Sequence, residues 1–408
     1  MFKFLDVFNL DRKIAAAETS LDICEGLNPP EPTEENTARV MYTTILKVES
    51  HSNAHSLDIC TVYDFKIVAK RGLYSAGNKI IYAPIDSILP KNIEDTLFPE
   101  GSKITLHKSR VRQIKIRGAV SQGLLINSQN VAHIVNMEYI PLETNVASLL
   151  SITKYEPPFV GASFTVGKDK QRNKKYAHPL FHQYNGIENV KWFPDFFKDG
   201  EQVVMQEKCH GTNSRASVLP YRADTLLKKL KKWLKLSPAT EQCYGSNKVD
   251  ISSSSDYNGF YGTDIYGDCF KRIDVFSKIR LGEIVYGEII GPGIQKKYGY
   301  GLKEHRFILF DVKVLQEGDK FKWLNPDEVE AYASERGFEY VPVAYKGPYN
   351  KEIAYSLTKG PSLYNPLQKV REGIVIKAAS DYDRDGNKRA LKWINEDYLD
   401  DKSNSDNH

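Results

Sequence analysis

The sequence predicts an α+β protein of two folded domains: a small closed β-barrel, then a larger domain of antiparallel sheets with flanking helices. Three observations carry this. Between residues 37 and 150, short β-branched or aromatic runs alternate with turn residues. Beyond residue 151, more such runs recur, each with one or two charges beside a turn. The 408 residues are enough for two or three cores, and aromatics are frequent at 24 Tyr and 18 Phe.

Residues 1–36 read as an extension. Met1 to Asp22 offers a short amphipathic helix with Phe4, Leu5, Phe8 and Ala15 on one face. The stretch from Asn28 to Asn36, rich in Pro and Glu, reads as a flexible acidic linker. Several acids and a single early arginine disfavour a mitochondrial presequence. Residues 401–408 read as a disordered tail.

The barrel strands are expected at Val40 to Val48, Ser56 to Val62, Lys66 to Lys70, Lys79 to Pro84 and Gln122 to Ile126. Between the last two, Lys108 to Arg117 alternates basic and apolar residues. That alternation directs Arg110, Arg112 and either Lys115 or Arg117 to solvent, as an RNA-contacting face or as a solvated edge strand.

Lys154 to Pro158 reads as the hinge into the second domain. The stretch Glu207-Lys208-Cys209-His210-Gly211-Thr212-Asn213 follows an apolar run, Val203 to Met205. A lysine on a strand that turns at a glycine can point into a pocket, and a desolvated lysine amine can attack phosphorus. Cys209 alternates with it as a small buried residue. Thr225 to Lys235 is a basic amphipathic helix with Leu226, Leu227, Leu230, Trp233 and Leu234 as its apolar stripe. It reads equally as a phosphate-backbone contact or as a packed helix with a solvated lysine face. Ser252 to Gly262 reads as a polar loop. Four buried strands with end charges complete the domain: Tyr286 to Lys296, Phe307 to Val312, Glu372 to Lys377 and Leu391 to Asn395. Each one alone reads first as a core strand with a solvated charge.

Composition narrows the class. No apolar run has membrane-spanning length. Five cysteines at scattered spacings give no zinc pattern and favour an intracellular, reducing compartment, with cytoplasm first. A net charge of +4 suits a nucleic-acid protein whose basic residues are clustered.

Taken in order, the lysine stretch and the four strands resemble the covalent nucleotidyltransferases, the polynucleotide ligases and capping enzymes. Lys-x-His-Gly-Thr-Asn after a glutamate resembles RNA ligases; DNA ligases and guanylyltransferases usually carry aspartate where His210 stands. Gly-Pro-Gly-Ile-Gln-Lys after Glu288 resembles the nick-sealing type. Ile152 to Pro158 behind a β-rich region resembles RNA ligase family five. The resemblance spans roughly residues 37 to 400. It implies an OB-type barrel (37–150) before an adenylation domain of ATP-grasp-like ligase type (151–400), acting as a monomer.

It also implies an ATP-dependent RNA ligase with Mg²⁺ or Mn²⁺, working through lysyl-AMP and RNA-adenylate. Lys208 would be the nucleophile. Glu207 would accept from the adenine amino group, and Phe310 would stack on the base. Glu288 would hold a ribose hydroxyl. His210 and Asn213 would order the turn and contact ribose, phosphate or metal-bound water. Glu372 would serve the metal, and Lys377 and Lys392 the α-phosphate. Arg110, Arg112, Lys115 and Arg117 would touch RNA. Lys248 stands near where relatives place an arginine for ribose or a terminal phosphate. The implied substrate is a nicked duplex with an RNA 3′-hydroxyl. A GTP-using capping enzyme and an RNA-binding relative without chemistry are the alternatives.

Overall fold

The computed structural model describes residues 37–102, 105–155, 178–222, 230, 233–234, 238–252, 261–295, 298–384 and 386–400. The N-terminal extension, residues 156–158 of the hinge and the C-terminal tail lie outside these residues. So do most of the basic amphipathic stretch and most of the polar loop before Gly262. From that stretch, Leu230, Trp233 and Leu234 are exposed.

The first half is built from β1 (Met41–Thr44), β2 (Lys47–Ser50), β3 (Leu57–Val62), β4 (Phe65–Lys70), β5 (Lys79–Ala83), β6 (Ser87–Ile88), β7 (Gln113–Ile116), β8 (Ala119–Gln122), β9 (Leu124–Ile126) and β10 (Thr144–Asn145). One sheet runs β10-β1-β5-β9 and another β2-β3-β4. The apolar run from Val40 to Val48 is therefore two strands. It breaks at Ile45, buried between them, so that β1 and β2 join different sheets. Such corners let a barrel turn without exposing an edge. Ile45, Cys60, Val62, Ile67, Ile80 and Tyr82 fill its interior. Helix α1 (Lys91–Leu97) packs Ile93 against Val111, Ile126 and Val131. Strand β11 (Thr153–Lys154) pairs with β6, so the start of the expected hinge is tied to the barrel.

The second half is two facing sheets. One has the order β12-β24-β21-β13-β20, from β12 (Glu188–Asn189), β13 (Gln202–Glu207), β20 (Val343–Pro348), β21 (Gly373–Ala378) and β24 (Ala390–Ile394). The other has the order β15-β14-β16-β17-β18, from β14 (Thr212–Pro220), β15 (Thr240–Ser246), β16 (Glu283–Ile290), β17 (Arg306–Leu315) and β18 (Phe321–Trp323). β19 (Glu339–Tyr340) adds parallel to β17, and β22 (Asp383–Arg384) pairs with β23 (Asn387–Lys388). Helices α2 (Ile265–Arg272), α3 (Val275–Lys278) and α4 (Pro326–Arg336) cover the outer face of the second sheet through Phe270, Val275 and Val329. Helix α5 (Lys351–Leu357) packs Ala354 on the outer face of the first.

Alternation on β21 decides which residues face inward. Ile374, Ile376 and Ala378 join the outer core, so Val375 and Lys377 face the space between the sheets. There Lys377 is fully buried. Its Nζ donates to Asp311 Oδ1 at 2.8 Å and to the Phe310 carbonyl at 2.7 Å. Tyr184 and Tyr382 hydroxyls donate to Asp311 Oδ2 at 2.5 and 2.9 Å. A buried charge is tolerable only when paired and bonded in this way.

The two halves are keyed together. Trp192 lies against Tyr63, Phe65 and Tyr82 of the barrel, with centroids 5.0, 5.0 and 5.6 Å away, and the Arg39 guanidinium covers its ring at 4.6 Å. Beside it the buried Lys191 Nζ reaches Gln122 Oε1 at 2.6 Å and Glu396 Oε1 at 2.9 Å. Helix α6 (Glu396–Asp400) receives Gln113 Nε2 at the Glu396 carbonyl (3.1 Å) and at Asp400 Oδ1 (2.7 Å).

Candidate active site

Lys208 directly follows β13. Its backbone N–H donates to the Gly373 carbonyl at 2.9 Å, which sets the end of β13 beside Glu372. Gly373 has φ of +153°, and a Cβ there would sit 2.2 Å from the Trp393 carbonyl oxygen. Only glycine lets the chain turn there with Glu372 aimed at the lysine. The Lys208 Nζ donates to Glu372 Oε1, and its side chain keeps 28 % of its surface exposed.

Gly211 makes the opposite turn. Its N–H donates to Glu288 Oε1 at 3.1 Å, and its carbonyl accepts from Gln295 Nε2 at 2.7 Å. A Cβ at Gly211 would lie 2.3 Å from the Ile289 carbonyl oxygen. The glycine is required by close approach to β16. Register then sets Asn213 directly opposite Glu288. His210 is buried between Tyr298 and Tyr398, its ring edge-on to both. Its backbone N–H donates to the Tyr300 hydroxyl at 2.7 Å, and Nδ1 lies 3.6 Å from Glu372 Oε2.

These groups open onto a cleft of about 1220 Å³ between the two halves. Lys208, His210, Glu288, Glu372 and Lys392 line one wall, and Arg110, Arg112 and Lys115 line the other. Lys392 reaches the cleft because Leu391 and Trp393, its neighbours on β24, point into the outer core.

The charges are coupled. Burial pushes the Lys208 amine down, but Glu372 and Glu288 outweigh it and hold the amine above its ordinary value. Burial lifts Glu288 to about 8, against the pull of Lys208. Lys392 falls to about 8, through burial and then repulsion from Lys208 and Lys154. In this arrangement the Lys208 amine carries its proton in contact with Glu372.

The remaining expected residues are dispersed. Glu207 Oε2 accepts from the backbone N–H of Leu363 and Tyr364 at 2.6 and 3.1 Å, so it anchors that loop. Its buried Oε1 has no hydrogen-bond partner among the described residues, and the same is true of Asn213 Oδ1. Phe310 is half-buried, edge-on to Tyr184 with centroids 5.0 Å apart. Lys377 is committed to Asp311, away from the cleft lining. Lys248 is exposed in the turn after β15, also outside that lining, and its carbonyl accepts from Gln183 Nε2 at 3.2 Å.

Arg110 corrects the expected basic face. It is 3 % exposed, bonds Asp86 through Nε (2.9 Å) and Nη2 (2.7 Å), and stacks on Tyr155 at 3.6 Å. Alternation fails at Arg110 because β7 begins only at Gln113, and the carboxylate of Asp86 draws the guanidinium inward. Lys115 and Arg117 are exposed, and Arg112 is half-buried in the cleft wall. Sequence reasoning gave no site role to Lys154 or Tyr398. Lys154 lines the cleft, and Tyr398 touches His210. For the first, a lysine three residues before a proline pair reads in sequence only as part of a hinge. Nothing local marks the second.

Residues 201–394 match the RNA ligase family, and residues 40–128 match an OB-fold domain family. No curated protein sequence matches the chain. Among solved structures, a lysine-to-alanine variant of Naegleria gruberi RNA ligase with ATP and Mn superposes with a TM-score of 0.67 at 21 % identity. It covers 90 % of this chain and 99 % of that one. An arginine-to-alanine variant with ATP and Mn gives 0.68 at 20 % identity over 91 % and 100 %. The same ligase with PPi gives 0.66 at 21 % over 90 % and 99 %. These likenesses extend across both halves and establish the shared fold. The chain thus joins an OB-fold barrel to a domain of the RNA ligase family.

Proposed function

We propose that this protein is an ATP-dependent RNA ligase that joins 3′-hydroxyl and 5′-phosphate ends, on nicks in duplexes whose 3′-hydroxyl strand is RNA. The observation that carries the proposal is the Lys208 amine, held by Glu372 at the floor of a cleft whose far wall is basic. The Naegleria gruberi structures, solved with ATP and Mn or with PPi, supply the nucleotide and the leaving group by analogy.

Deprotonated Lys208 attacks the α-phosphorus of ATP. A P–N bond forms, the bond to the β-phosphate breaks, and pyrophosphate leaves with the electron pair. The RNA 5′-phosphate then displaces the lysine to give RNA-adenylate. Finally the 3′-hydroxyl attacks the 5′-phosphorus, the phosphodiester forms, AMP leaves, and the hydroxyl proton passes to solvent. Each step is an in-line displacement, so the protein contributes alignment and charge.

Lys392 faces the same cleft and suits the α-phosphate. Glu288 suits a ribose hydroxyl, Phe310 the adenine face, and the unsatisfied Glu207 Oε1 and Asn213 Oδ1 suit donors from the nucleotide. His210 holds the turn. Lys377, bonded to Asp311 and to the Phe310 carbonyl, braces the strand that carries Phe310. Among the described residues no cluster of three His, Cys, Asp or Glu side chains is arranged to hold a metal. Mg²⁺ or Mn²⁺ would therefore be shared between Glu372, water and phosphate oxygens, where it would neutralise phosphate charge. Arg112, Lys115, Arg117 and Lys154 suit the RNA backbone. We infer a monomer in a reducing compartment such as the cytoplasm, in keeping with the four free, buried thiols among the described residues. No helix among those residues is long and apolar enough to cross a membrane.

The test is to incubate protein with α-labelled ATP or GTP and Mg²⁺, then denature it, with Lys208→Ala as control. ATP label that Lys208→Ala abolishes supports the proposal, and nicked duplexes with RNA or DNA 3′ ends then test the substrate. GTP label moves the protein to the capping class. An unlabelled protein of unmodified intact mass sinks the enzyme reading.

A further inference from the structure

Tyr398 is fully buried on α6, in a cluster with Cys209, Ile290, Tyr298 and Tyr300. Its hydroxyl lies 3.1 Å from His210 Nε2 and 3.3 Å from Nδ1, while Nδ1 also lies 3.6 Å from Glu372 Oε2. His210 is thus flanked by a phenol on one side and by the carboxylate that holds Lys208 on the other. A neutral imidazole has one donor nitrogen and one acceptor nitrogen, and its neighbours choose which is which. A phenol that donates to Nε2 leaves the proton on Nδ1, facing Glu372.

The helix that carries Tyr398 is anchored at the same peptides. The Asn395 N–H donates to the Glu372 carbonyl at 2.9 Å, and the Asn395 side chain donates to the Arg371 carbonyl at 3.1 Å. One residue further, Glu396 takes Lys191 and Gln113 at the barrel interface. The position of Tyr398 is therefore fixed both from the site and from the barrel.

Resting on the ligase reading above, we infer that Tyr398 is a positioning residue: through His210 it orients Glu372 against the Lys208 amine for self-adenylation. A polar ring set beside one carboxylate, here with Nδ1 3.6 Å from Oε2, is the kind of support that fixes reacting groups in register.

The test uses the full chain and four proteins: wild type, Tyr398→Phe, His210→Gln and the double variant. Single-turnover labelling from ATP is read with ¹⁵N spectra of the histidine ring. Tyr398→Phe keeps the packed ring and removes one hydrogen bond. The labelling rate should fall about ten-fold with the half-saturating ATP concentration unchanged. The His210 nitrogen signals should report a changed tautomer. In the His210→Gln background the same change should cost nothing further, because the path runs through His210. Losses that multiply in the double variant, or an unaltered His210 spectrum, overturn the inference. A wild-type chain that takes no label overturns the ligase reading and this one with it, and that outcome is visible before any variant is compared.

Discussion

Gly211→Ala tests the site architecture most directly. The added methyl would sit 2.3 Å from the Ile289 carbonyl oxygen, 2.8 Å from Ile290 Cγ2 and 2.9 Å from Glu288 Cγ. The nearest atom is backbone in the middle of a sheet, so no rotamer change relieves the clash. Either the turn or β16 must move by several tenths of an ångström. Overpacking of this kind costs roughly 1–3 kcal/mol, and a backbone clash belongs at the upper end. For a domain of this size, that lowers Tm by roughly 5–10 °C. The displacement also pulls the Gly211 N–H from Glu288 and shifts Lys208, three residues away. A misplacement approaching 1 Å costs about a hundred-fold in rate. Gly186→Ala is the matched control, since its Cβ would meet nothing within 4 Å and its φ is not in the left-handed region. Thermal unfolding and labelling from ATP, both read well below the variant's Tm, complete the assay. If Gly211→Ala unfolds with the wild type and labels at its rate, the close-approach reasoning is wrong.

Two further predictions follow from charge. Arg110→Ala leaves Asp86 buried without its partner, so it should destabilise by about 3–5 kcal/mol in denaturant unfolding. Lys115→Ala should leave stability near wild type and reduce the salt slope of RNA binding by about one; the reverse pattern would restore Arg110 to the RNA face. Glu288, lifted to about 8 from an ordinary 4.5, keeps in the folded state a proton that the unfolded chain has lost. Folding stability should therefore fall as pH rises from about 5 to about 8, by on the order of 2–3 kcal/mol for a group that faces the open cleft. Glu288→Gln should flatten that decline; an unchanged pH–stability curve would count against a buried, proton-holding Glu288.

The order of Lys208, Glu288, Glu372 and Lys392 along the chain was legible because each lies on or directly beside a strand, and short apolar runs mark strands well. The face that Lys392 takes became visible only in the structure, with Leu391 and Trp393 behind it. What stayed hidden depended on partners far along the chain. Arg110 looks solvent-bound beside Val111 and Arg112, and only Asp86, 24 residues earlier, turns it inward. The run Val40 to Val48 has no turn residue, so its break at Ile45 is set by two sheets competing for one strand. Lys377 reads as a strand-end charge until Asp311, Tyr184 and Tyr382 converge on it. Tyr398 has no local mark at all, since its meaning lies in a histidine 188 residues away.

The Trp192 key has a consequence for anyone wishing to take the molecule apart. The segment that carries it leads straight into β13 and belongs to the ligase half by sequence, yet its indole lies among Tyr63, Phe65 and Tyr82 of the barrel. A chain begun at residue 151 would present that indole to water, along with a Lys191 stripped of Gln122. It would have an exposed aromatic ring and a cation left with Glu396 alone, both just upstream of β13. Grafting a foreign barrel would meet the same obstacle unless the graft brought its own aromatic socket. The seam between the halves is a joint of fixed shape, and modular exchange at this point would have to preserve both its plug and its receptacle.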